Sequence, residues 1–175
     1  MITLYRGRRG KGKTTTMVKD AYNYFCYGWK IYTNMDKLGF PHEQLSVDDI
    51  VNLHKSDIEN CVLMIDEIQA IVDNRRGMKK ENVSISNFFY EIRKRSIVLL
   101  ATTQFSRNTD LRFRDQVDII AHPSMLPEYP VVECVYTDLT ATEDNVGIIS
   151  RKVIYNPTEV FKLFNTNERV KSVNA

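Results

Sequence analysis

Residues 4–16 read LYRGRRGKGKTTT, and this stretch decides which fold the chain can adopt. Positions 7–14 satisfy the pattern G-x-x-x-x-G-K-[ST], in which glycines let consecutive backbone N–H groups surround phosphate oxygens. An apolar run precedes this turn and an amphipathic, helix-like segment follows it, so the positive end of the helix would face the same phosphates. The stretch therefore predicts a phosphate-binding loop between a first strand and a first helix.

The chemistry of the loop assigns roles to its residues. Lys13 is expected to place its positive charge against the β- and γ-phosphates, and the Thr14 hydroxyl to ligate Mg²⁺. The cofactors implied are ATP and Mg²⁺. A glycine-rich hairpin turn with incidental lysines is the alternative, but it explains neither the preceding strand nor the following helix. The predicted nucleotide-binding residues are those of the loop and the helix start: Gly7, Arg8, Arg9, Gly10, Lys11, Gly12, Lys13, Thr14 and Thr15.

A second motif, VLMIDEIQ at residues 62–69, is an apolar run that ends on two carboxylates. A strand buried on both faces has this composition, and α/β sheets bind ligands at the carboxyl ends of their strands. We therefore expect Asp66 to complete the Mg²⁺ site with Thr14. Glu67 is then placed to polarise the water that attacks the γ-phosphate. Without the phosphate loop, such a pair would more often be a strand cap.

LLATTQF at residues 99–105 predicts another buried strand, which ends at Gln104. Gln104 could sense the γ-phosphate and orient the water, or simply satisfy backbone groups of the next loop. Charge on the transferring phosphoryl group also calls for a further cation, which many such enzymes take from a neighbouring subunit. An arginine at a helix end is commonly only a dipole partner, so the pattern selects none. The candidates flank this strand: Arg93, Arg95, Arg112 and Arg114.

Strand-like and helix-like segments alternate along the 175 residues, which predicts one domain over residues 1–175. The predicted fold is a three-layer α/β P-loop NTPase with a mainly parallel central sheet. VDIIA at 117–121 predicts a strand that ends before the proline-rich HPSMLPEYP at 122–130. VVECVYTD at 131–138 and GIISRKVIY at 147–155 predict a late antiparallel pair. Ser46, with Asp49 three residues on, predicts a capped helix through Leu53.

The composition is that of an ordinary globular protein, with 43% hydrophobic residues and a net charge of +2. Global charge therefore does not indicate a nucleic-acid binder. Three cysteines without CxxC spacing suit a reducing compartment. The N-terminus lacks the apolar core of a signal peptide, and no apolar run is long enough to cross a bilayer. We expect a soluble intracellular protein.

Together these motifs resemble the FtsK–HerA superfamily of P-loop ATPases. The residues that carry the resemblance are the glycine-lysine loop, VLMIDEIQ, RKR at 93–95 and LLATTQ at 99–104. Within the superfamily the chain is most similar to the small genome-packaging ATPases of membrane-containing icosahedral viruses, including archaeal turreted viruses. KIYTNM at 30–35 and LFNTNE at 163–168 are also similar to stretches of zonula-occludens-toxin-like phage assembly ATPases.

The resemblance implies a RecA-like core that forms a ring, expected to be hexameric, and drives double-stranded DNA through its channel to package a viral genome. It implies nucleotide and metal binding by Lys13, Thr14 and Asp66, and catalysis by Glu67. Gln104 would be the sensor, and Arg93 or Arg95 the arginine supplied in trans. Capsid or inner-membrane vertex proteins would be partners, in the host cytoplasm or the virion.

DNA contacts of such a ring would come from loops, and DNRRGMKKEN at 73–82 is the candidate. Arg75, Arg76, Lys79 and Lys80 could contact phosphates without reading sequence. An exposed loop that only keeps the protein soluble accounts for them equally well.

Two other functions remain open. One is a zonula-occludens-toxin-like assembly or secretion ATPase of single-stranded phage. Such proteins typically continue into a transmembrane segment, which this chain lacks, and we therefore expect the packaging role instead. The other is a nucleotide-binding regulatory module, which would have less need of Asp66, Glu67 and Gln104. A small-molecule kinase is less favoured, although RNTDLRFR at 107–114 could imitate its lid.

Overall fold

The computed structural model describes residues 1–73, 89–104, 113, 115–126, 128–140 and 149–165. Eight strands occur in these ranges: β1 Ile2–Arg6, β2 Lys30–Thr33, β3 Glu43–Gln44, β4 Cys61–Ile65, β5 Val98–Thr103, β6 Ile119–Leu126, β7 Val131–Asp138 and β8 Ile149–Tyr155. The helices are α1 Lys13–Cys26, α2 Val47–Val51, α3 Ile68–Asp73 and α4 Thr158–Phe161, with a 3-10 turn at Leu53–Lys55. None of the helices in the described ranges has the length and apolar character needed to cross a bilayer.

The strands form one sheet in the order β3-β2-β4-β5-β1-β6-β7-β8. Pairing is parallel from β3 to β6 and antiparallel between β6, β7 and β8. Every residue of β4 and β5 is buried, as expected for strands covered on both faces. The predicted mainly parallel sheet with a late antiparallel pair is therefore confirmed.

Each face of the sheet carries its own hydrophobic core. On one face, β4 contributes Leu63 and Ile65, which belong to a cluster with Ile92. On the other face, β4 contributes Met64, which belongs to a cluster with Met17 and other residues of α1. This alternation follows from the period of two in a strand, and it produces the predicted three layers. The sequence pattern also predicts a helix over 86–95, and this segment lies only partly within the described residues.

One predicted boundary is confirmed and two are corrected. Ser46 and Asp49 form the predicted capping box at the start of α2, and Gly28 follows the end of α1 with φ +87°. However, α2 ends at Val51, and Leu53 belongs to the 3-10 turn. The strand predicted over 117–121 begins at Ile119 and continues to Leu126, because β7 pairs with it along its whole length. Pro123 is tolerated there because β1 pairs no further than Ala121.

Buried polar contacts fasten the antiparallel strands to α1. The Asp20 carboxylate accepts hydrogen bonds from the Tyr5 and Tyr136 hydroxyls, each at 2.7 Å. Burial and the nearby Asp20 charge raise the pKa of Tyr136 far above its ordinary value, so its hydroxyl stays a donor. The Thr16 hydroxyl lies 2.9 Å from the Tyr155 hydroxyl. The late strands therefore extend the nucleotide-binding sheet and pack on its first helix.

The segment after α4 returns to pack beside β2. The Gly39 N–H donates to the Leu163 carbonyl at 2.7 Å, and Leu38 forms an antiparallel bridge with Phe164. A Cβ at position 39 would lie 3.1 Å from the Leu163 Cα and 3.3 Å from the Lys162 carbonyl oxygen. Since both are backbone atoms, the contact leaves no room for a larger residue.

We predict that Gly39→Ala lowers the free energy of unfolding by about 1–3 kcal/mol, the usual range for overpacking. Urea denaturation of the purified chain measures this change. A change below about 0.5 kcal/mol, typical of an unconstrained surface position, would show that residues 162–164 do not pack against Gly39.

Candidate functional site

The predicted site residues meet at the carboxyl edge of the parallel strands. Arg6 at the end of β1 pairs with Thr103 at the end of β5, and Ile65 at the end of β4 pairs with Ala101. This register brings the glycine-lysine loop, the Asp-Glu pair and Gln104 to one edge of the sheet. Parallel α/β sheets bind their ligands at this edge.

The loop backbone uses conformations that favour glycine. Gly10 has φ +76° and Gly12 has φ +84°, in the left-handed region that other residues rarely adopt. Gly12 precedes the first residue of α1, and its carbonyl accepts from the Thr16 N–H at 2.9 Å. The free N–H groups at the start of this 14-residue helix therefore face the loop.

Lys13 is buried at the base of the loop, with 6% of its surface exposed. Its Nζ donates to the Arg8 carbonyl at 3.2 Å. Burial lowers the pKa of Lys13, and the charges of Glu67 and Asp66 partly offset this effect. A desolvated ammonium beside two carboxylates suits the binding of an anionic phosphate chain. Around it Thr15 is also buried, while three basic side chains are exposed: Arg8, Arg9 and Lys11.

Asp66 connects the helix that follows the phosphate loop to the neighbouring strand β5. Its Oδ1 accepts hydrogen bonds from the Thr14 hydroxyl at 3.1 Å and from the Thr102 hydroxyl at 2.6 Å. Burial raises the pKa of Asp66, and the two hydroxyl donors and Lys13 oppose the shift. Thr14 and Asp66 thus stand in contact, as predicted for a shared metal site.

The donors of Thr14 and Asp66 suit Mg²⁺, which takes few of its ligands from protein, better than a metal ion that is enclosed by protein ligands alone. Among the described residues, no group of three or more His, Cys, Asp or Glu side chains could enclose a metal ion. Mg²⁺ is usually held by one or two carboxylates together with water and substrate phosphates. Thr14 and Asp66 would supply the protein ligands of such a site.

Glu67 is held in an unusual conformation by its neighbours. Its φ is +54°, which costs a residue other than glycine on the order of 1–3 kcal/mol and often marks a functional site. Its N–H donates to the Thr102 hydroxyl at 2.8 Å. Gln104 Nε2 donates to Glu67 Oε1 at 2.9 Å, and Gln69 Nε2 donates to Oε2. The carboxylate is therefore oriented by an amide on each side.

Three residues of this constellation were not singled out from the sequence. Asn34 donates its Nδ2 to the Asp66 carbonyl at 2.9 Å and accepts from the Asp66 N–H at 2.8 Å. Thr102 and Gln69 contact the two acidic residues as described above. The available signal was positional, because Asn34 follows β2 and Thr102 lies near the end of β5, both neighbours of β4.

The candidate arginines lie elsewhere in the protomer. Arg93 pairs with Asp118, whose other oxygen accepts from the Ile2 N–H at 2.7 Å. Arg95 donates to the Ser56 carbonyl at 2.6 Å and pairs with Glu91 at 2.6 Å. These partners place both arginines at the amino-terminal edge of the sheet, away from the loop of their own chain. Six other predicted residues lie outside the described ranges: Arg75, Arg76, Lys79, Lys80, Arg112 and Arg114.

Comparison with known proteins agrees with this geometry. The family model described as zonular occludens toxin (Zot) matches residues 1–169. The chain belongs to the Zot family. No curated protein matches the chain. Among solved structures, the N-terminal domain of zonular occludens toxin from Neisseria meningitidis is similar with a TM-score of 0.65 and 21% identity, over 94% of this chain and 98% of that one.

Two further structures have the same fold. The DNA-packaging ATPase B204 from Sulfolobus Turreted Icosahedral Virus matches with a TM-score of 0.59 and 16% identity, over 88% of this chain and 98% of that one. A DnaB-like replicative helicase matches with a TM-score of 0.55 and 13% identity, over 87% of this chain and 54% of that one. The predicted RecA-like P-loop fold and the resemblance to packaging and Zot-like ATPases are confirmed. This Zot-family chain is therefore a P-loop ATPase-type domain, and its place in the FtsK–HerA superfamily stays a prediction.

Thr102→Val tests the contacts that orient the acidic pair. The valine preserves the shape of the buried side chain but removes the donor to Asp66 and the acceptor for the Glu67 N–H. We expect a loss of about 1.5–3 kcal/mol in unfolding free energy, as for hydrogen bonds to charged groups. ATP turnover should fall about tenfold or more, because a small misplacement of a catalytic group is costly. Denaturation and steady-state ATPase assays measure the two effects.

Thr102→Ser is the matched control, because it keeps the hydroxyl while removing a methyl group. It should retain most of the turnover. Equal turnover in Thr102→Val and wild type would contradict a positioning role for this hydroxyl.

Proposed function

We propose that this chain is a Mg²⁺-dependent ATPase motor that moves DNA during the assembly of a virus particle. The observation that carries the proposal is the oriented Glu67 carboxylate beside Lys13, Thr14 and Asp66. A protein that only bound nucleotide would have no need to hold a carboxylate between two amides next to the phosphate loop.

The residues suggest how hydrolysis proceeds. The loop N–H groups and Lys13 bind the phosphates of ATP, and Thr14 and Asp66 bind the metal. Mg²⁺, when bound, neutralises charge that develops on the phosphate oxygens. Glu67 accepts a proton from the attacking water as that water forms a bond to the γ-phosphorus and the bond to the β-γ bridging oxygen breaks. Gln104, bonded to Glu67, is placed to orient that water.

Loss of one amide contact of Glu67 would make room for the attacking water. Gln104 is the better candidate to move, because it follows the end of β5, whereas Gln69 belongs to α3. Repositioning of Gln104 by the γ-phosphate would free Glu67 Oε1 of this contact and would couple the state of the nucleotide to the end of β5.

The further cation would come from a neighbouring subunit. Neither Arg93 nor Arg95 contacts the loop of its own chain, so either arginine would have to act on a neighbouring subunit to take part in hydrolysis. The Arg93 side chain is 66% exposed and that of Arg95 23%, so Arg93 is the more accessible of the two. We propose a homo-oligomeric ring, expected to be hexameric.

Double-stranded DNA is the proposed substrate of the motor. The likeness to B204, which is described as a DNA-packaging ATPase, supports this choice. Structures of the genome packaging NTPase B204 from Sulfolobus turreted icosahedral virus 2 with ATPγS and AMPPCP support ATP as the nucleotide. The basic loop with Arg75, Arg76, Lys79 and Lys80 is proposed to contact DNA phosphates.

A Zot-type role in phage assembly or secretion is the second candidate. The family match over residues 1–169 favours it. The two candidates share the ATPase chemistry and differ in the polymer that stimulates it, so one assay can separate them.

The experiment measures ATP hydrolysis with Mg²⁺ alone, with long double-stranded DNA and with single-stranded DNA. Glu67→Gln should reduce turnover by about 100-fold or more, the contribution expected of a general base, while ATP binding is retained. Stimulation by double-stranded DNA supports packaging. Stimulation restricted to single-stranded DNA, or absent for both, favours the assembly role.

The variant Arg75→Ala, Arg76→Ala, Lys79→Ala, Lys80→Ala supplies the control for DNA contact. It should keep the basal turnover, lose the stimulation by DNA and show a flatter dependence of DNA affinity on salt, because fewer phosphates are neutralised. Binding of ATP without turnover by the wild type would contradict the motor and favour a regulatory module.

A further inference from the structure

The peptide group between Asp66 and Glu67 is held at both of its polar atoms. The Asp66 carbonyl accepts a hydrogen bond from Asn34 Nδ2 at 2.9 Å, and the Glu67 N–H donates to the Thr102 hydroxyl at 2.8 Å. Asn34 follows β2 and Thr102 belongs to β5, and these strands are the two neighbours of β4 in the sheet. Because a peptide group is planar, the two side chains fix its orientation from opposite sides.

The orientation of this peptide group decides the conformation of Glu67. Glu67 has φ +54°, which costs backbone strain in a residue other than glycine. A flip of the peptide group would change ψ of Asp66 and φ of Glu67 together, and it would let Glu67 return to the favoured region of negative φ. The carbonyl and the N–H would then exchange sides, and both hydrogen bonds would break. The two contacts therefore hold Glu67 in its strained conformation.

Asn34 binds Asp66 at two points. Its Oδ1 also accepts from the Asp66 N–H at 2.8 Å, so one carboxamide binds both polar backbone groups of Asp66. The paired residues of β2 and β4 end at Thr33 and Met64. A carboxamide offers a donor and an acceptor as a peptide group does. The Asn34 side chain therefore continues the ladder between the two strands beyond their last backbone pair.

The backbone on either side of Asn34 is fixed. Thr33 and Met35 are buried, with 0% and 6% of their surfaces exposed. The Thr33 hydroxyl accepts from the Met35 N–H at 3.1 Å, which closes a local turn around Asn34. A side chain that extends from a fixed turn loses little entropy when it holds its partner.

We infer that Asn34 is a positioning residue for hydrolysis, which keeps the Asp66–Glu67 peptide group from flipping and thereby keeps the Glu67 carboxylate beside Gln104. This inference rests on the proposed ATPase function and deepens it. Asn34 acts through the backbone of the acidic pair and has no chemical step of its own. Its contribution should therefore appear in the rate of hydrolysis.

Binding of the nucleotide does not depend on this contact. In the described part of the chain, the hydrogen bonds of the Asn34 side chain go to the Asp66 backbone. The Asp66 carboxylate is held separately, by the hydroxyls of Thr14 and Thr102. Loss of the Asn34 side chain should slow hydrolysis while the proposed ligands of the phosphates and the metal stay in place.

Asn34→Ala tests the inference when turnover and binding are measured separately on the full chain. We expect kcat for ATP with Mg²⁺ to fall about tenfold or more, because a small misplacement of a catalytic group is costly. The Kd of the non-hydrolysable analogue AMPPCP with Mg²⁺ should change by less than about twofold, as for a contact that affects the rate alone. Calorimetry measures this constant and the number of sites per chain, which reports whether the variant is folded.

Asn34→Asp separates the two contacts of the carboxamide. It keeps the size of the side chain and an acceptor for the Asp66 N–H, but it places an oxygen against the Asp66 carbonyl where the donor was. Its kcat should be as low as that of Asn34→Ala, because the peptide group before Glu67 loses the same hydrogen bond.

Asn52→Ala is the matched control, since this asparagine also uses its carboxamide as donor and acceptor. Asn52 Nδ2 donates to the Asp48 carbonyl at 2.9 Å, and Oδ1 accepts from Lys55 Nζ at 3.1 Å. These contacts are exposed and lie outside the site, so the variant should change kcat by less than about twofold.

A second comparison asks whether Asn34 acts through Glu67. In a Glu67→Gln background, Asn34→Ala should lower the residual turnover by less than about twofold, because residues that act as a unit are not additive. A further loss of about tenfold in that background would overturn the inference, since Asn34 would then act independently of Glu67.

Two other results would overturn the inference while the proposed function stands. One is a kcat equal to that of the wild type in Asn34→Ala or Asn34→Asp. The other is a fall in kcat that only matches a loss of AMPPCP sites, which would assign the effect to folding. If the wild type binds AMPPCP but does not hydrolyse ATP, the proposed ATPase function fails, and the inference fails with it.

Discussion

The contacts of Asp66 are the interaction on which the rest of the site depends. Its carboxylate accepts hydrogen bonds from Thr14 on α1 and Thr102 on β5. Its backbone forms a reciprocal pair with Asn34 beyond the end of β2. One residue therefore joins four neighbouring elements at the carboxyl edge. A charge placed there without these donors would be costly to bury, so the strands, the helix and the metal site constrain one another.

The antiparallel strands stabilise the same site from the other side. Asp20 binds the hydroxyls of Tyr5 and Tyr136, and Thr16 lies between the Gly12 carbonyl and the Tyr155 hydroxyl. These contacts connect β7 and β8 to the first two turns of the helix that follows the phosphate loop. The late strands are therefore fastened to the helix that positions the phosphate loop.

Much of the fold could be predicted because local patterns and topology agree. The glycine-lysine loop fixes a strand before it and a helix after it, and the unbroken apolar runs of β4 and β5 require cover on both faces. The end of β6 could not be predicted, because Pro123 suggests a loop unless the missing partner on one side of the strand is known. The packing of Gly39 against Leu163 joins residues far apart in sequence, and no periodic pattern reports such a contact.

The residues of the site likewise fall into those that the sequence predicts and those that it does not. Lys13, Thr14, Asp66, Glu67 and Gln104 were predicted because each belongs to a motif or ends a strand, and the structure places them together. Asn34 and Gln69 contribute hydrogen bonds whose geometry exists only after folding. Arg93 and Arg95 are different, because the structure pairs them with Asp118 and Glu91 at the opposite edge of the sheet, and those partners belong to no motif.

The proposed role of Thr14 and Asp66 is to form the protein part of a metal site that helps to hold the nucleotide. The most direct measurement is the affinity for ATP with and without Mg²⁺, in the wild type and in Asp66→Asn, which keeps the shape and one acceptor oxygen. We expect Mg²⁺ to tighten ATP binding by about tenfold or more, roughly 1.4 kcal/mol, in the wild type and much less in the variant. The same dependence on Mg²⁺ in both proteins would contradict it.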